Sequence, residues 1–402
     1  MKMFLRHASN RSMLLSSLLI LLLNLSYTFS IPTTTLREYL VSDSEGDDEG
    51  IYLAMGPAFF GFYGYFGALA GMEDEIISGL GGEDRTEFAP SKSVLIERNI
   101  LLGVSGASAG AMTAVTLAAG ISPHRGGEFV SAIKLTDFAD PVGLGGIFRG
   151  ERSESLINDF LYSLSPIVTD NNTNSTDVAA TKLPLQLEDS LIPVAVSAVD
   201  INPIISHPEP SWWQLMKSPS EFISSTYFPT EKVLTRGSMA RASRASACFP
   251  FLFQPVGWID DGYSLLIDGG IFDMAGYNGL AEIIRRTGSD EDKKRNPQLR
   301  VLNMAVGGFV TAPPGPEVMS KRLNVAVDSV FSLSIKGLPF CGPLTMKNGP
   351  LAIRAARRAI RAAMDRPIIA TTSTSTVDGK QKIQHHFVLE IDASPFVDTL
   401  LD

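Results

Sequence analysis

The sequence predicts an α/β fold in which parallel strands share one sheet and helices cover its faces. Three observations lead there. The stretch ILLGVSGASAGAMTA, Ile100 to Ala114, runs from an apolar strand through a glycine-rich turn into a helix spanning Ala111 to Ala119. A second strand–loop–helix unit precedes it, with IYLAM (Ile51 to Met55) as strand and an apolar segment reaching Met72 as helix. Beyond the elbow, IPVAVSAV (Ile192 to Val199), SLLID (Ser264 to Asp268), LRVLNMAV (Leu299 to Val306) and HFVLEID (His386 to Asp392) read as further strands. Alternating strands and helices bury a parallel sheet between helical layers.

Taken in order, the chain opens with Lys2, Arg6 and Arg11 ahead of MLLSSLLILLLNL (Met13 to Leu25) and SYTFSIP, the charged, apolar and small-residue order of a secretory signal ending near Ser30. An uncleaved anchor is the alternative, though the apolar run is shorter than the roughly 20 residues that span a bilayer. Residues 31–50, with the acidic SDSEGDDEG, read as a linker too poor in apolar residues to pack. The folded domain is expected over 51–402, as one domain with insertions and a C-terminal extension, because strands on both sides of the polar stretch near residue 175 belong to one sheet. That stretch carries two sequons, at Asn171 and Asn174, which with the leader point to the secretory pathway, lumenal or secreted.

Composition narrows the function. A net charge of −9 lacks the basic surface that general nucleic-acid binding requires. The two cysteines, Cys248 and Cys341, have no metal-binding spacing and can form one bridge or none. No cofactor and no metal are expected.

Two serines sit in the elbow. Only Gly106-Ala107-Ser108-Ala109-Gly110 has the G-x-S-x-G spacing, in which a sharp strand-to-helix turn exposes the serine; Ser105 lacks the second glycine. The other reading is a plain Gly/Ala turn. A serine nucleophile needs a base. His386 supplies one in a Ser-Asp-His order with Asp268, but only about two strands fit between Ile51 and Ser108, and alternation makes His386 a strand residue. Asp268 is the other candidate, at a strand end with Gly269 and Gly270 behind it, where a carboxylate can approach another turn closely. A simple Asp-Gly-Gly turn is the alternative.

The blocks GPAFFGFYGYFGAL (Gly56 to Leu69), GASAGAMTA, ASRASACFPFLFQPV (Ala242 to Val256) and IDGG occur in an order and spacing that resemble the patatin-like phospholipases. The first two are most similar to the animal triglyceride-lipase branch, and the resemblance extends over roughly residues 51–275. It implies a three-layer α/β/α fold and a lipid acyl hydrolase, of phospholipase A or triacylglycerol lipase type, acting on a lipid ester at a membrane or lipid-droplet surface. Ser108 would be the nucleophile, Asp268 its base, and the loop with Gly56, Ala58, Phe59 and Gly61 the oxyanion hole. The loop departs from the family pattern at Pro57, which has no N–H, and at Phe60, where a basic residue is usual. A non-catalytic lipid-binding homologue is therefore the competing reading. Phe59, Phe60, Phe62, Tyr63, Tyr65 and Phe66, with the Phe249 to Phe253 segment, are candidates for an acyl-chain groove, core packing being the other reading of each. Arg354, Arg357, Arg358 and Arg361 fall on one side of a helix that either rests on an anionic membrane or packs on the core.

Overall fold

Alternation along the strands divides the apolar residues between two faces of one sheet. In the computed structural model, which describes residues 32–41, 50–79, 91–138, 140, 146–171, 183–202, 229–287, 299–307, 315–323, 327–377 and 380–398, the chain divides into residues 1–33 and 34–402. The leader, the acidic run 42–49 and Asn174 lie outside the described residues, and Asn171 ends a short helix, Pro166–Asn171.

The second unit begins before Ile51. Leu36–Leu40 (α1) is a helix whose Thr35 and Glu38 form a reciprocal capping box, and Leu36, Tyr39 and Leu40 are buried. The Tyr39 hydroxyl donates to the carbonyl of Val301, 3.0 Å away. This part of the expected linker thus belongs to the core, held by three large side chains that an acidic neighbourhood obscures.

The sheet has ten strands: β1 Ile51–Met55, β2 Leu101–Ala107, β3 Val194–Asp200, β4 Thr230–Leu234, β5 Val256–Trp258, β6 Ser264–Asp268, β7 Arg300–Val306, β8 Ser329–Lys336, β9 Thr371–Val377 and β10 Lys380–Asp392. Their order is β9-β10-β8-β7-β1-β2-β3-β6-β5, with β4 also on β3. Strands β10, β8, β7, β1, β2 and β3 are parallel, and the antiparallel pairs are confined to the ends. The central strands β8, β7, β1, β2 and β3 are buried on both faces, as two helical layers demand, whereas β10 exposes Ile383, Val388 and Glu390.

On one face lie α2 Phe62–Gly79, α3 Ala109–Ala118, α4 Pro123–Ala132 and, later in the chain, α9 Gly349–Ala363; Leu53, Met55, Leu302, Met304 and Phe331 point into this core. On the other, α7 Tyr277–Thr287 and α8 Pro316–Leu323 cover Ala54, Val301 and Val330. Between these in sequence come α5 Glu151–Leu164 and α6 Met239–Ser246, which pack on each other beside the end of β2.

Helices α2 and α9 lie close because a Cβ on Gly71 would stand 2.7 Å from the carbonyl of Arg357. The arginines of α9 are accordingly part of a helix pair: Arg357 meets Asp74 at 2.5 Å and Arg361 meets Glu75 at 2.8 Å, both acids lying on α2. Arg354 and Arg358 face solvent. Among the described residues, no helix is long and apolar enough to cross a membrane. Cys248 and Cys341 are free thiols, both buried.

Candidate active site

One edge of β3 explains how the site is assembled. Its residues 196–200 pair with β4, which occupies the far edge, so the near edge is left for two strands placed end to end. Parallel β2 takes the first part, with Ala107 opposite Ser197, and antiparallel β6 takes the next, with Asp268 opposite Ala198. The last residue of β6 therefore arrives beside the first residue after β2. That residue is Ser108.

Ser108 turns the chain from β2 into α3 at φ 54° and ψ −119°, a conformation sparsely populated by a residue with a side chain. Both flanking glycines are required by close approach. A Cβ on Gly106 would collide with the backbone of Gly110, and one on Gly110 would stand 2.5 Å from the Met55 carbonyl. The Ser108 amide donates to Ser246 Oγ at 2.8 Å, and Ser246 Oγ in turn donates to the Ser197 carbonyl at 2.6 Å. Ser246, on α6, thus ties the turn to β3. Nothing in the local sequence separated it from its neighbouring serines.

Ser108 Oγ donates to Asp268 Oδ2 at 2.9 Å, while Asp268 Oδ1 accepts from the Gly270 amide at 2.7 Å. Burial pushes the Asp268 carboxyl up to about 6, against the opposing pull of the Gly270 amide and the Ser108 hydroxyl. A Cβ on Gly269 would collide with the Ser197 carbonyl, and one on Gly270 would stand 2.9 Å from Pro57 Cγ. These glycines let the aspartate turn lie flat against β3 and the loop after β1. Asp273, buried, accepts from Ser197 Oγ at 2.6 Å and from the amides of Tyr277 and Asn278, which fixes the start of α7 against the same strand.

Ser105 is on the opposite side of the strand. Its side chain is fully buried, and its hydroxyl donates to the Gly276 carbonyl. His386 is likewise remote: β10 and β2 are four strand steps apart, about 19 Å at the usual spacing. Its Nε2 lies 2.8 Å from Ser332 Oγ, and burial lowers its pKa. A Ser-Asp-His arrangement through His386 is therefore ruled out by the strand order. Among the described residues, no group of three or more His, Cys, Asp or Glu side chains is arranged to hold a metal ion.

The loop after β1 passes beside the elbow. The Gly56 amide donates to the Met304 carbonyl at 3.4 Å and the Gly61 amide to the Ala58 carbonyl at 2.9 Å, so neither points at a ligand over Ser108. The amides of Ala58 and Phe59 have no acceptor among the described residues. Tyr65 holds the loop from below, its hydroxyl donating to the Gly56 carbonyl at 2.8 Å. Phe60 takes the left-handed φ of 52°.

Above the pair is a cavity of about 400 Å³ whose floor includes Ser108 and Asp268 and whose walls include Ala58, Phe59, Phe60, Phe62, Met112, Ile157, Phe249, Leu252, Phe253 and Met274. The expected aromatic groove is thus present in part, built from Phe59, Phe60 and Phe62 of the first loop and the segment after α6, whereas Tyr63, Tyr65 and Phe66 are buried in the core because α2 turns them onto the sheet. At its rim Phe59 meets Phe249 with ring centroids 6.1 Å apart and stacks with Phe340 at 6.5 Å. Phe340, Phe249 and Phe59 are 65%, 50% and 39% exposed. So much unburied aromatic surface around one opening is unusual for a soluble face.

No curated protein sequence matches the chain. Among solved structures, it is similar to VipD from Legionella pneumophila (16% identity, TM-score 0.35, 78% of this chain and 54% of that one). It is also similar to a chain of the complex of full-length SpcU with full-length ExoU from the type III secretion system of Pseudomonas aeruginosa (13% identity, TM-score 0.41, 84% of this chain and 61% of that one). The chain spans less than two thirds of the length of either. The stretch that holds Ser108, Ser246, Asp268 and the glycines around them, residues 100–281, matches the family model described as Patatin-like phospholipase.

Proposed function

We propose that the protein is a lipid acyl hydrolase that cleaves carboxylic esters with Ser108 as nucleophile and Asp268 as its base. The observation that carries this reading is the 2.9 Å hydrogen bond from Ser108 Oγ to a buried Asp268 carboxylate on the floor of an apolar cavity. The family match over residues 100–281 supports lipid ester hydrolysis in general.

The steps follow from the geometry. With an acyl chain in the cavity, the ester carbonyl lies over Ser108. Asp268 Oδ2 accepts the Ser108 proton as Oγ attacks, and the carbonyl oxygen gains negative charge. The unengaged amides of Ala58 and Phe59, with the N-terminus of α3, are the donors available to that oxyanion. Collapse expels the alcohol, which takes the proton back from Asp268 and leaves an acyl-Ser108 ester. Water, giving one proton to Asp268, then attacks this ester; as the acyl–Oγ bond breaks, Asp268 returns that proton to Ser108 Oγ and the fatty acid leaves. Pro57 fits the scheme as a rigid support, since the donors come from the two residues after it. The exposed aromatic rim supports action at a lipid surface, and the leader and sequons support a secretory location. The similarity of Gly56 to Leu69 and GASAGAMTA to the animal triglyceride-lipase branch leaves triacylglycerol and phospholipid substrates to be separated by experiment.

A fluorophosphonate probe tests competence and nucleophile together. The expected adduct is on Ser108; Ser108→Ala abolishes labelling and Ser105→Ala retains it. An adduct on Ser105, or no adduct on a folded protein that still binds lipid, refutes the proposal and favours a non-catalytic lipid-binding protein.

A further inference from the structure

Three buried side chains join the turn of the nucleophile to the turn of its base. Ser246 Oγ accepts from the Ser108 amide at 2.8 Å and donates to the Ser197 carbonyl at 2.6 Å, and Ser197 Oγ donates to Asp273 Oδ2 at 2.6 Å. The Asp273 amide closes the chain on the Gly269 carbonyl, 2.9 Å away and one residue beyond Asp268. Ser246, Ser197 and Asp273 are all fully buried, and none of them lines the acyl cavity. The Ser197 carbonyl is their common point: Ser246 holds the Ser108 turn to it, and Gly269 lies so near that a Cβ there would collide with it.

The Ser108 end is the one under strain. At φ 54° and ψ −119° the residue occupies a conformation that persists only where its surroundings enforce it. Its carbonyl is fixed by the Ala111 amide at 3.0 Å, while its own amide has no acceptor other than Ser246 Oγ among the described residues. Release of that amide lets φ relax, which swings Cβ and carries Oγ away from Asp268 Oδ2. A serine hydroxyl meets the requirement because it accepts from the amide and donates to the carbonyl at once. Alanine does neither and leaves the amide unpaired.

Building on the hydrolase reading, we propose that Ser246 is a positioning residue: it fixes the Ser108 backbone against the Ser197 carbonyl and thereby sets the distance at which Ser108 Oγ hands its proton to Asp268. The residue lies outside the acyl cavity, so turnover depends on it and substrate affinity does not.

The test measures hydrolysis of p-nitrophenyl butyrate, a soluble ester. A misplacement of about 1 Å can cost about 10²-fold in rate, so Ser246→Ala should lower kcat by about thirtyfold or more with KM within twofold, and Ser246→Thr, which keeps the hydroxyl, should recover most of the loss. Ser165 is the matched control, a buried serine remote from the site that accepts from the Ile167 amide at 3.2 Å and donates to the Ala119 carbonyl at 2.7 Å. Ser165→Ala should lower the urea midpoint as Ser246→Ala does and leave kcat within twofold of wild type. A kcat for Ser246→Ala within threefold of wild type, or an equal loss in Ser165→Ala, overturns the proposal. A second readout needs no turnover. The Ser108 hydroxyl and the Gly270 amide draw the Asp268 carboxyl down against burial, so loss of the Ser108 bond should move its titration, followed by the carboxyl ¹³C shift and identified by its absence in Asp268→Asn, further up in Ser246→Ala but not in Ser165→Ala. An unmoved titration refutes the positioning role. If the wild type hydrolyses no ester, the hydrolase reading fails, and the titration alone decides whether Ser246 holds Ser108 on Asp268. Should Ser246→Ala not fold, Ser246→Cys, whose thiol is a weak donor and a weak acceptor, replaces it, and wild-type values in both measurements overturn the proposal.

Discussion

Replacing Asp268 by asparagine should make the protein more stable and nearly inactive, and the two effects have one cause. Burial raises the carboxyl from 3.8 to about 6, which means that folding disfavours the charged form the reaction needs. A group whose folded value is raised contributes stability that is fully present below its unfolded value and is lost as pH rises through the folded value. For Asp268 that window runs from about pH 4 to about pH 6. At about 1.4 kcal/mol per pH unit, the charged carboxylate costs about 3 kcal/mol of folding stability at pH 8. Asparagine keeps an acceptor for the Gly270 amide and a partner for Ser108 without the charge. Urea melts of wild type and Asp268→Asn should differ by about 3 kcal/mol at pH 8, in favour of the variant, and by less than about 1 kcal/mol at pH 4. Glu73, which burial pushes up to about 7, titrates in both proteins and cancels in the difference. On the activity side, loss of the base should lower kcat by about 10²–10⁴, and wild-type activity should drop about tenfold per pH unit below about 6. A stability difference that does not change between pH 4 and pH 8, or a wild-type rate that is flat from pH 5 to pH 8, would refute a buried ionised Asp268 as the base.

Two further variants probe the loop and the discarded base. Pro57→Gly should reduce kcat by about tenfold with little change in KM, because it loosens the turn that aims the Ala58 and Phe59 amides without removing either donor; an increase in kcat would mean that residue 57 itself occupies a donor position. His386→Gln should leave the rate of ester hydrolysis within twofold of wild type, and a hundredfold loss in a folded variant would return a histidine to the mechanism.

What could be read in advance were features that need only a few adjacent residues. Ser108 between Gly106 and Gly110, and Asp268 before Gly269 and Gly270, are recognisable because backbone runs close to backbone at those turns and a Cβ would have no room. Strands β1 and β6 and the α/β class were legible for a similar reason: their apolar runs are bounded by glycines or charges. Strand β8, SVFSLSIK, was missed although it alternates apolar residues with serine. Its serines look like a solvent face, but the strand is central, and Ser332 is buried against His386 instead. Leu36–Leu40 was hidden in the same way by the acidic residues that follow it.

The pairing of Ser108 with Asp268 could be inferred from sequence only through resemblance, because it depends on a long-range register. Residues 160 positions apart meet since β2 stops opposite Ser197 and β6 stops opposite Ala198 on one shared edge. No periodicity within either segment encodes that. The register is held by contacts from outside both strands: Ser246 bridges the Ser108 amide to the Ser197 carbonyl, and Asp273 clamps the Ser197 hydroxyl. Ser197 is thus held through its backbone by the nucleophile's side of the junction and through its side chain by the aspartate's side. A slip of β6 by one residue would turn the Asp268 side chain to the other face of the sheet, away from Ser108, and would move Leu266 from its fully buried face to the one where Leu265 and Ile267 are half-buried. Apolar alternation along β6 and the polar contacts at Ser197 therefore select the same register, the first by burying Leu266 and the second by holding the junction with β2.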